Sequence, residues 1–328
     1  MLGFFTCNES RFDFFAASFA IMSRRMPMRA TTLVRRCTIT VVLLAAAACT
    51  SVLVIPDSDN PRYSEVIIAG QIQNSRIIEA SGLARSNRHN EILWTMNDDG
   101  PPVVYAIGTD GSDVGSLTLR HARNVDWEDL AAFELDGTPY LLIADTGDNE
   151  ANRPYATIYV VEEPEISRGQ HIEAEPAWQI RFSYPDGSLD CESVAVDLSG
   201  ERILLLSKRT IPARLDDLPL RPNRSDIIEA RRLTDLSTLP QPTDHDLAKA
   251  LPDDNWHWQP TSIDLSTDGR TAVVVTWVGV YLYVRRPGES FAEAFARQPA
   301  FLELGDNIEA EAVTLLQDGN AIFVTVEG

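Results

Sequence analysis

A pattern that recurs five times is the feature that most constrains the fold of this 328-residue chain. Each copy has an acidic or amide residue, one spacer residue, and then Glu, Ser or Thr, followed by small and apolar residues. Four copies then pass through an Asp-Gly or Ser-Gly pair into a second apolar run. Such pairs supply the positive φ that a tight hairpin turn needs, and short runs rich in Val, Ile and Leu are typical of buried strands. The pattern therefore predicts five β-hairpins, which begin at Glu79, Asp126, Asp190, Gln259 and Glu309.

The spacing of the copies favours a β-propeller over a β-sandwich. The copies are about 50 to 70 residues apart, and a four-stranded blade occupies ~40–50 residues apart from its loop insertions. The polar stretches Ile211–Asp226 and Ser237–Trp258 are interpreted as such insertions. Further strands are predicted at Val103–Ile107, Thr157–Val161, Ala177–Phe182 and Val280–Val284, and short helices at Leu247–Leu251 and Ser290–Arg297. The prediction is an all-β fold, a propeller of four-stranded blades, with five blades preferred and six as the alternative.

The first 49 residues have the composition of a targeting segment. Arg35 and Arg36 precede the apolar run Ile39–Ala48, which ends at Cys49. A basic region, a short apolar run and small residues before a cut describe a secretory signal, and the run is too short to span a membrane. Ala46-Ala-Ala-Cys49 also resembles a bacterial lipobox, so two alternatives stand: lipidation of Cys49, or secretion after cleavage at the small residues. Because a signal rarely begins so far ahead of its apolar run, residues 1–25 are interpreted as a mis-called extension.

This interpretation divides the chain into three parts. Residues 1–49 are the extension and the signal, residues 50–74 are a short N-terminal segment, and residues 75–328 are the propeller. A strand from Arg62–Gln73 is expected to join the last blade and close the ring. The predicted location is the periplasm or the cell surface, and the membrane is reached only through a lipid on Cys49.

Composition excludes several classes of partner and site. The chain has 48 Asp and Glu against 28 Lys and Arg, and its net charge of −20 argues against nucleic acid as a partner. Cys191 is the only cysteine after residue 49, so the propeller has no internal disulfide and no cysteine-based zinc site. The acidic neighbours of Cys191 are expected to raise the pKa of its thiol, which indicates a packing role. We expect a monomer.

The two polar positions of the pattern place many carboxylates around one axis. They are two residues apart, so both lie on one face of a strand, and the first strand of each blade lines the channel of a propeller. The carboxylates are Glu79, Asp126, Glu128, Asp190, Glu192, Glu309 and Glu311, and Ser81, Gln259 and Thr261 complete the set. Carboxyl groups lie this close together only if cations bind among them or some of the groups stay protonated. We prefer Ca²⁺ to Mg²⁺, because ligands from several blades would have loose geometry. The alternative is that these side chains cap strands and hold neighbouring blades together.

Other polar residues are predicted near the same rim. Asp145 and Asp148 belong to Asp145-Thr-Gly-Asp-Asn149, whose spacing partly resembles a calcium loop but lacks the full EF-hand pattern. A strand-ending turn is the alternative for this segment. The candidates for contact with a ligand are Asp98, His121, Arg123, Trp256 and His257. Neither a Gly-x-Ser-x-Gly elbow nor a glycine-rich nucleotide motif occurs in the sequence.

Six segments resemble a known group of propellers. They are Glu79-Ala-Ser-Gly-Leu-Ala, Leu93–Gly100, Asp126-Trp-Glu-Asp-Leu-Ala, Ile143–Asn149, Thr261–Gly269 and Val324–Gly328. Over about residues 75–328 they resemble the bacterial exported β-propellers of the SdiA-regulated, TolB-like class and the related phytase-like "esterase-like" propeller family. The resemblance implies a propeller fold and an exported location more than a reaction, and calcium in related propellers implies a similar ion here.

Two classes of function follow, of which we prefer the first. The first is a cell-envelope protein that binds a small ligand or a protein partner, with Ca²⁺ in its acidic channel. The second is a metal-dependent hydrolase of phosphodiesterase, phytase-like or lactonase-like type, in which the channel carboxylates hold the Ca²⁺ that polarises the substrate. Arg123, Lys208 and Arg209 are the only near candidates for contact with a phosphate group, and this scarcity argues against a phosphate-rich substrate.

Overall fold

The structure is a computed structural model that describes residues 3–5, 53–57, 60–65, 67–223, 226–241, 258–304, 309–317, 319 and 321–327. Four strands precede the first repeat: β1 (Gly3–Phe5), β2 (Leu53–Asp57), β3 (Asn60–Glu65) and β4 (Ile68–Gln71). Blade 1 contains β5 (Ala80–Arg85), β6 (Ile92–Asn97), β7 (Val103–Gly108) and β8 (Asp113–Leu119). Blade 2 contains β9 (Trp127–Leu135), β10 (Thr138–Asp145), β11 (Ala156–Glu162) and, after β12 (Gln170–Ala174), β13 (Trp178–Ser183).

The remaining blades follow the same order. Blade 3 contains β14 (Cys191–Asp197), β15 (Arg202–Ser207), β16 (Ala213–Pro219) and, after β17 (Ile228–Glu229), β18 (Arg231–Leu236). Blade 4 contains β19 (Ser262–Leu265), β20 (Thr271–Thr276), β21 (Gly279–Val284) and, after helix α1 (Phe291–Phe295), β22 (Ala300–Glu303). Blade 5 contains β23 (Glu309–Leu315) and β24 (Ile322–Glu327), together with β1 and β4.

The innermost strands of the five sheets form a closed ring. Strand β5 contacts β9, β9 contacts β14, β14 contacts β19, β19 contacts β23, and β23 contacts β5 again. Five clusters of buried apolar side chains fill the spaces between neighbouring sheets, one cluster for each pair. Full burial of one large apolar side chain contributes about 1.5–3 kcal/mol, so these clusters are what holds the blades together. The predicted all-β propeller is therefore confirmed, and its described sheets form five blades.

The connection between the third and fourth strands of a blade repeatedly contacts the preceding blade. The connection of blade 2 adds β12 parallel to β8 of blade 1, and the connection of blade 3 adds β17 parallel to β13 of blade 2. In blade 4, α1 contacts β18 of blade 3. The tight turn of blade 1 also reaches back, because the carbonyl of Gly111 accepts a hydrogen bond from the amide of Gln73, just after β4 of blade 5. These contacts fasten the blades at their outer edges.

The loop interpretation of Ile211–Asp226 is wrong in its first half. Residues 213–219 form β16, which pairs with β15 and β18. Its charged side chains are buried and paired: Arg214 donates to Asp216 at 2.7 Å, and Asp217 accepts from Arg202 and Arg231. A buried charge is tolerated when an opposite charge and hydrogen bonds satisfy it, so this strand carries a polar sequence.

The short helix predicted within Ser290–Arg297 is confirmed as α1. Ser290 caps its first turn, and Glu293 bonds back to the Ser290 amide, which makes a capping box. The other predicted helix, Leu247–Leu251, lies outside the described residues, as does most of Ser237–Trp258. Among the residues with described positions, no helix has the length and apolar character needed to cross a membrane.

Candidate functional site

The mouth of the channel is the end at which the innermost strands begin. Asp145, the last residue of β10, is the partner of Trp127, the first residue of β9, so the loops between second and third strands reach the same end. At this end the second polar position of four repeats is an unpaired extra residue, since Ser81, Glu128, Glu192 and Glu311 are skipped in the strand registers. A β-bulge of this kind turns a side chain away from the regular pleat, and it is common beside binding sites.

Three of the predicted acids come together at this mouth. Glu128, Asp190 and Glu192 are all buried, and each places one carboxylate oxygen within 4.8 Å of the other two. Glu128 comes from blade 2, and the other two come from the start of blade 3. Oxygen ligands lie about 2.3–2.6 Å from Ca²⁺ and are therefore at most about 5 Å apart, so the three carboxylates fit around one ion of this size.

Two basic side chains after β15 contact the acids. The Lys208 Nζ lies 2.5 Å from Oε2 of Glu192, and the Arg209 Nε lies 2.6 Å from Oδ2 of Asp190. Burial on its own would lower the pKa of Lys208, but the charges of Glu192, Glu311 and Glu128 outweigh it and raise this pKa. Lys208 is therefore a resident cation of the cluster.

Three carboxyl groups at the mouth retain protons more strongly than free acids do. Burial, reinforced by the charges of Glu192 and Asp126, raises the pKa of Glu128 well above its ordinary value. Burial also raises the pKa of Glu192 from 4.5 to about 7 against the opposing effect of Lys208. The pKa of Asp126 rises to about 6, mainly through burial. Near neutral pH this cluster is thus short of positive charge, and either protons or a further cation must supply it.

The segment Asp145–Asn149 builds the wall of the cluster. Asp145 pairs with Arg153 at 2.8 Å, and Asp148 accepts hydrogen bonds from the backbone amides of Asn152 and Arg153. The Asp148 amide donates to Asp190 at 2.8 Å. These contacts show the strand-ending turn that was the alternative for this segment, with both aspartates engaged in holding it.

Gly147 allows this turn to pass close over the acids. A Cβ placed on Gly147 would lie 2.2 Å from Oε1 of Glu128 and 2.3 Å from Cγ of Asp126. Real side chains do not approach so closely, so only glycine fits here unless the two carboxyl groups move.

The other members of the predicted columns are placed differently. Glu79 and Glu309 are exposed, and Glu311 accepts a hydrogen bond from the Trp277 indole at 3.0 Å. Ser81 donates to the carbonyl of Trp127, and Thr261 donates to that of Ala310, each at 2.7 Å and each across to the next blade. The Gln259 amide faces the carbonyls of Lys208 and Thr210. At Ser81, Gln259, Thr261 and Glu311 the repeat links neighbouring blades, as the alternative interpretation proposed, whereas the glutamates of blades 2 and 3 gather.

The candidates for ligand contact are also spread out. Asp98 lies close enough to Asp126 to raise its pKa. Arg123 is exposed, and its carbonyl accepts the Trp127 indole N–H at 3.0 Å. His121 lies 3.6 Å from Glu175, beyond the outer strand β12, and is not part of the cluster. Trp256, His257 and Cys49 lie outside the described residues.

Sequence reasoning missed the buried carboxylate of Asp129, which lies among the innermost strands. Its two oxygens accept hydrogen bonds from the amides of Leu130, Val194 and Ile263 and from the Ser262 hydroxyl, at 2.7–3.3 Å. Asp129 thereby joins blades 2, 3 and 4 below the mouth. Burial raises its pKa well above the ordinary value, against the effect of its four donors. The only signal in the sequence was a third acid directly after Asp126-Trp-Glu128.

Burial also raises the pKa of the Cys191 thiol to about 12, in agreement with the packing role predicted for it.

No known family model matches this chain, and no curated protein matches it either. The propeller fold is established by the structure, while the resemblance to the SdiA-regulated, TolB-like class stays a prediction from the six motifs.

Proposed function

We propose that this protein is an exported β-propeller that binds a divalent cation, Ca²⁺, at Glu128, Asp190 and Glu192, and that its channel mouth binds a ligand or partner of the cell envelope. The observation that carries the proposal is the convergence of three buried carboxylates within 4.8 Å. Burial of ionised carboxylates without a counter-charge is costly in free energy. A bound cation removes this cost, and the removal favours its binding.

The count of charges around the mouth supports this proposal. The described acids around the mouth are Asp98, Asp126, Glu128, Asp145, Asp148, Asp190, Glu192 and Glu311, and the basic side chains that pair with them are Arg153, Lys208 and Arg209. Ionisation of all the acids would leave an excess of negative charge, which a bound divalent ion reduces. Ca²⁺ suits the site better than Mg²⁺, because carboxylates from two blades have loose geometry and Mg²⁺ requires a near-ideal octahedron.

Exposed apolar side chains favour a binding function for the same face. Ile78 and Val125 precede the first residues of two repeats and are 71% and 57% exposed, and Tyr155 and Ile211 lie in the loops that follow β10 and β15. All four belong to segments at the mouth end of their blades. A partner with both apolar and basic groups would complement such a surface.

One observation favours the hydrolase as the second candidate. Glu192, with a pKa of about 7, is suited to act as a general acid near neutral pH, and the Lys208 ammonium lies beside it. A hydrolase of this type would lose turnover in the Glu192→Gln variant, and a screen of phosphodiester and lactone substrates with and without Ca²⁺ would detect it.

The test of the proposed function is calorimetric titration of the chelator-treated full chain with CaCl₂ at pH 7.5. We expect one ion per chain, and we expect the Glu128→Gln/Glu192→Gln variant to weaken binding at least tenfold. Glu173→Gln, an exposed acid on β12, is the matched control and should bind like the natural chain. Absence of binding, or equal binding by both variants, would refute the cation site. Recovery of the protein from the cytoplasm alone of a bacterial host would refute export.

A further inference from the structure

The third strand of blade 5 differs from the third strands of the other blades. Strands β7, β11, β16 and β21 have six or seven residues, whereas β1, which lies between β24 and β4, has three. The register of β1 with β4 also shifts between Phe4 and Phe5. The strand that completes this blade is thus the shortest of its kind, although its neighbour β24 is buried along most of its length.

The chain order of blade 5 is unusual as well. In blades 2, 3 and 4 the connections between the third and fourth strands are residues 163–177, 220–230 and 285–299, and each touches the preceding blade. In blade 5 the chain from β1 to β4 runs through residues 6–67 and includes the whole segment interpreted as a secretory signal. Removal of that signal would also remove β1.

Strand β2 has the features of the strand that would then be missing. Its residues Leu53-Val-Ile55 are continuously apolar, as expected for a strand buried on both faces, and Pro56, which cannot donate to a central ladder, would end that strand. The chain from β2 to β4 is residues 58–67, which is comparable with the connections of the other blades. That stretch includes β3, and β3 already contacts β22, the outer strand of the preceding blade 4. Every part of the usual blade order is therefore present after residue 49.

We propose that the exported chain begins at or just after Cys49 and that Leu53–Ile55, which ends before Pro56, replaces Gly3–Phe5 as the third strand of blade 5, between β24 and β4. The edge of β24 is then an acceptor for a segment of the same chain, and its unpaired backbone groups are satisfied by that segment. The inference rests on the export part of the proposed function and is independent of the cation site.

The test starts with the full chain, produced in a bacterium that exports it. Mass spectrometry of the exported form should show an N-terminus at Cys49 or Thr50. Val54→Pro and Tyr63→Pro form a matched pair, because these residues are register partners in the hairpin of β2 and β3. A proline removes a ladder hydrogen bond from a central strand and is tolerated in a connection. Val54→Pro should lower the unfolding midpoint by about 5 °C or more, and Tyr63→Pro by less than half as much.

Cross-linking keeps the proposal testable if Val54→Pro does not fold. Position 325 is the partner of Phe4 in β1, so Thr325→Cys combined with a cysteine at 53, 54 or 55 should form a disulfide in the exported form. Thr325→Cys combined with Tyr63→Cys should not. Retention of residues 3–5 in the exported protein, equal effects of the two prolines, or absence of a cross-link at all three positions would each overturn the proposal.

Discussion

Replacement of Lys208 by Met tests how the acids at the mouth are balanced. Methionine keeps most of the length of the side chain but removes the ammonium group that lies 2.5 Å from Glu192. Both partners are buried, with 11% and 7% of their side chains exposed, and the pKa of Lys208 is also raised by Glu128 and Glu311. Loss of one member of a buried ion pair leaves the other charge uncompensated and costs about 3–5 kcal/mol.

The pH dependence identifies the cause of this loss. The pKa of Glu192 is about 7 in the folded chain and rises further without Lys208, whereas its ordinary value is 4.5. The folded state of the variant therefore avoids the unpaired charge by keeping its proton, and the penalty grows as the pH rises from about 4.5 through the folded pKa. We expect the full loss at pH 8, in the absence of divalent cations, and a loss under about 1 kcal/mol at pH 5.

The assay is thermal and urea unfolding of the chelator-treated natural chain and Lys208→Met at pH 5 and pH 8. The loss at pH 8 corresponds to a fall of roughly 10 °C in the midpoint for a domain of this size. Addition of CaCl₂ should restore much of it, because a divalent ion replaces the missing charge. Arg120→Met, which breaks the exposed pair with Glu175, is the control and should cost under about 1 kcal/mol. An equal loss at both pH values would refute the electrostatic explanation and indicate lost packing.

Three further predictions concern the same end of the channel. In the natural chain without Ca²⁺, ionisation of Glu192 should lower the free energy of unfolding by up to about 3 kcal/mol as the pH rises from 4.5 to 7. A free energy of unfolding that stays flat or rises over this range in chelator would contradict the raised pKa of Glu192. Gly147→Ala should abolish Ca²⁺ binding and lower the unfolding midpoint, because its Cβ would collide with Glu128 and Asp126, whereas Gly200→Ala, whose nearest contact is 3.2 Å, should do neither. Asp129→Asn should cost about 3 kcal/mol, since its NH₂ group would face the N–H groups of Val194 and Ile263 or, in the other orientation, that of Leu130, and urea unfolding beside the exposed Asp136→Asn checks this.

The fold was largely predictable because its signals are local. Asp-Gly and Ser-Gly turns and flanking apolar runs specify hairpins within about ten residues, and their repetition specifies the ring. Strand β16 was not predicted, because the run Ala213–Pro219 is polar and the partners of its buried charge at Asp217, Arg202 and Arg231, lie on other strands. The outer strands β12 and β17 were not predicted for a related reason, since each pairs with a strand of the preceding blade.

The candidate site was predictable only in part. Alternation places Glu128 and Glu192 on one face, and the structure brings them together with Asp190. The sequence does not show the β-bulges that turn these side chains. It also does not show that Lys208 and Arg209, just after β15, lie beside Glu192 and Asp190. It also does not distinguish Glu79 and Glu309, which are exposed, from the acids that gather, because burial depends on the packing of neighbouring loops.

The most direct test of the account is the calcium content of the full chain purified without chelator, measured by mass spectrometry of the metal beside Glu128→Gln/Glu192→Gln. The account predicts about one calcium per natural chain and almost none in the variant. It also predicts that EDTA lowers the unfolding midpoint of the natural chain and leaves that of the variant unchanged. A natural chain without calcium, whose midpoint responds neither to EDTA nor to added CaCl₂, would contradict the account and would make the buried carboxylates a protonated, structural cluster.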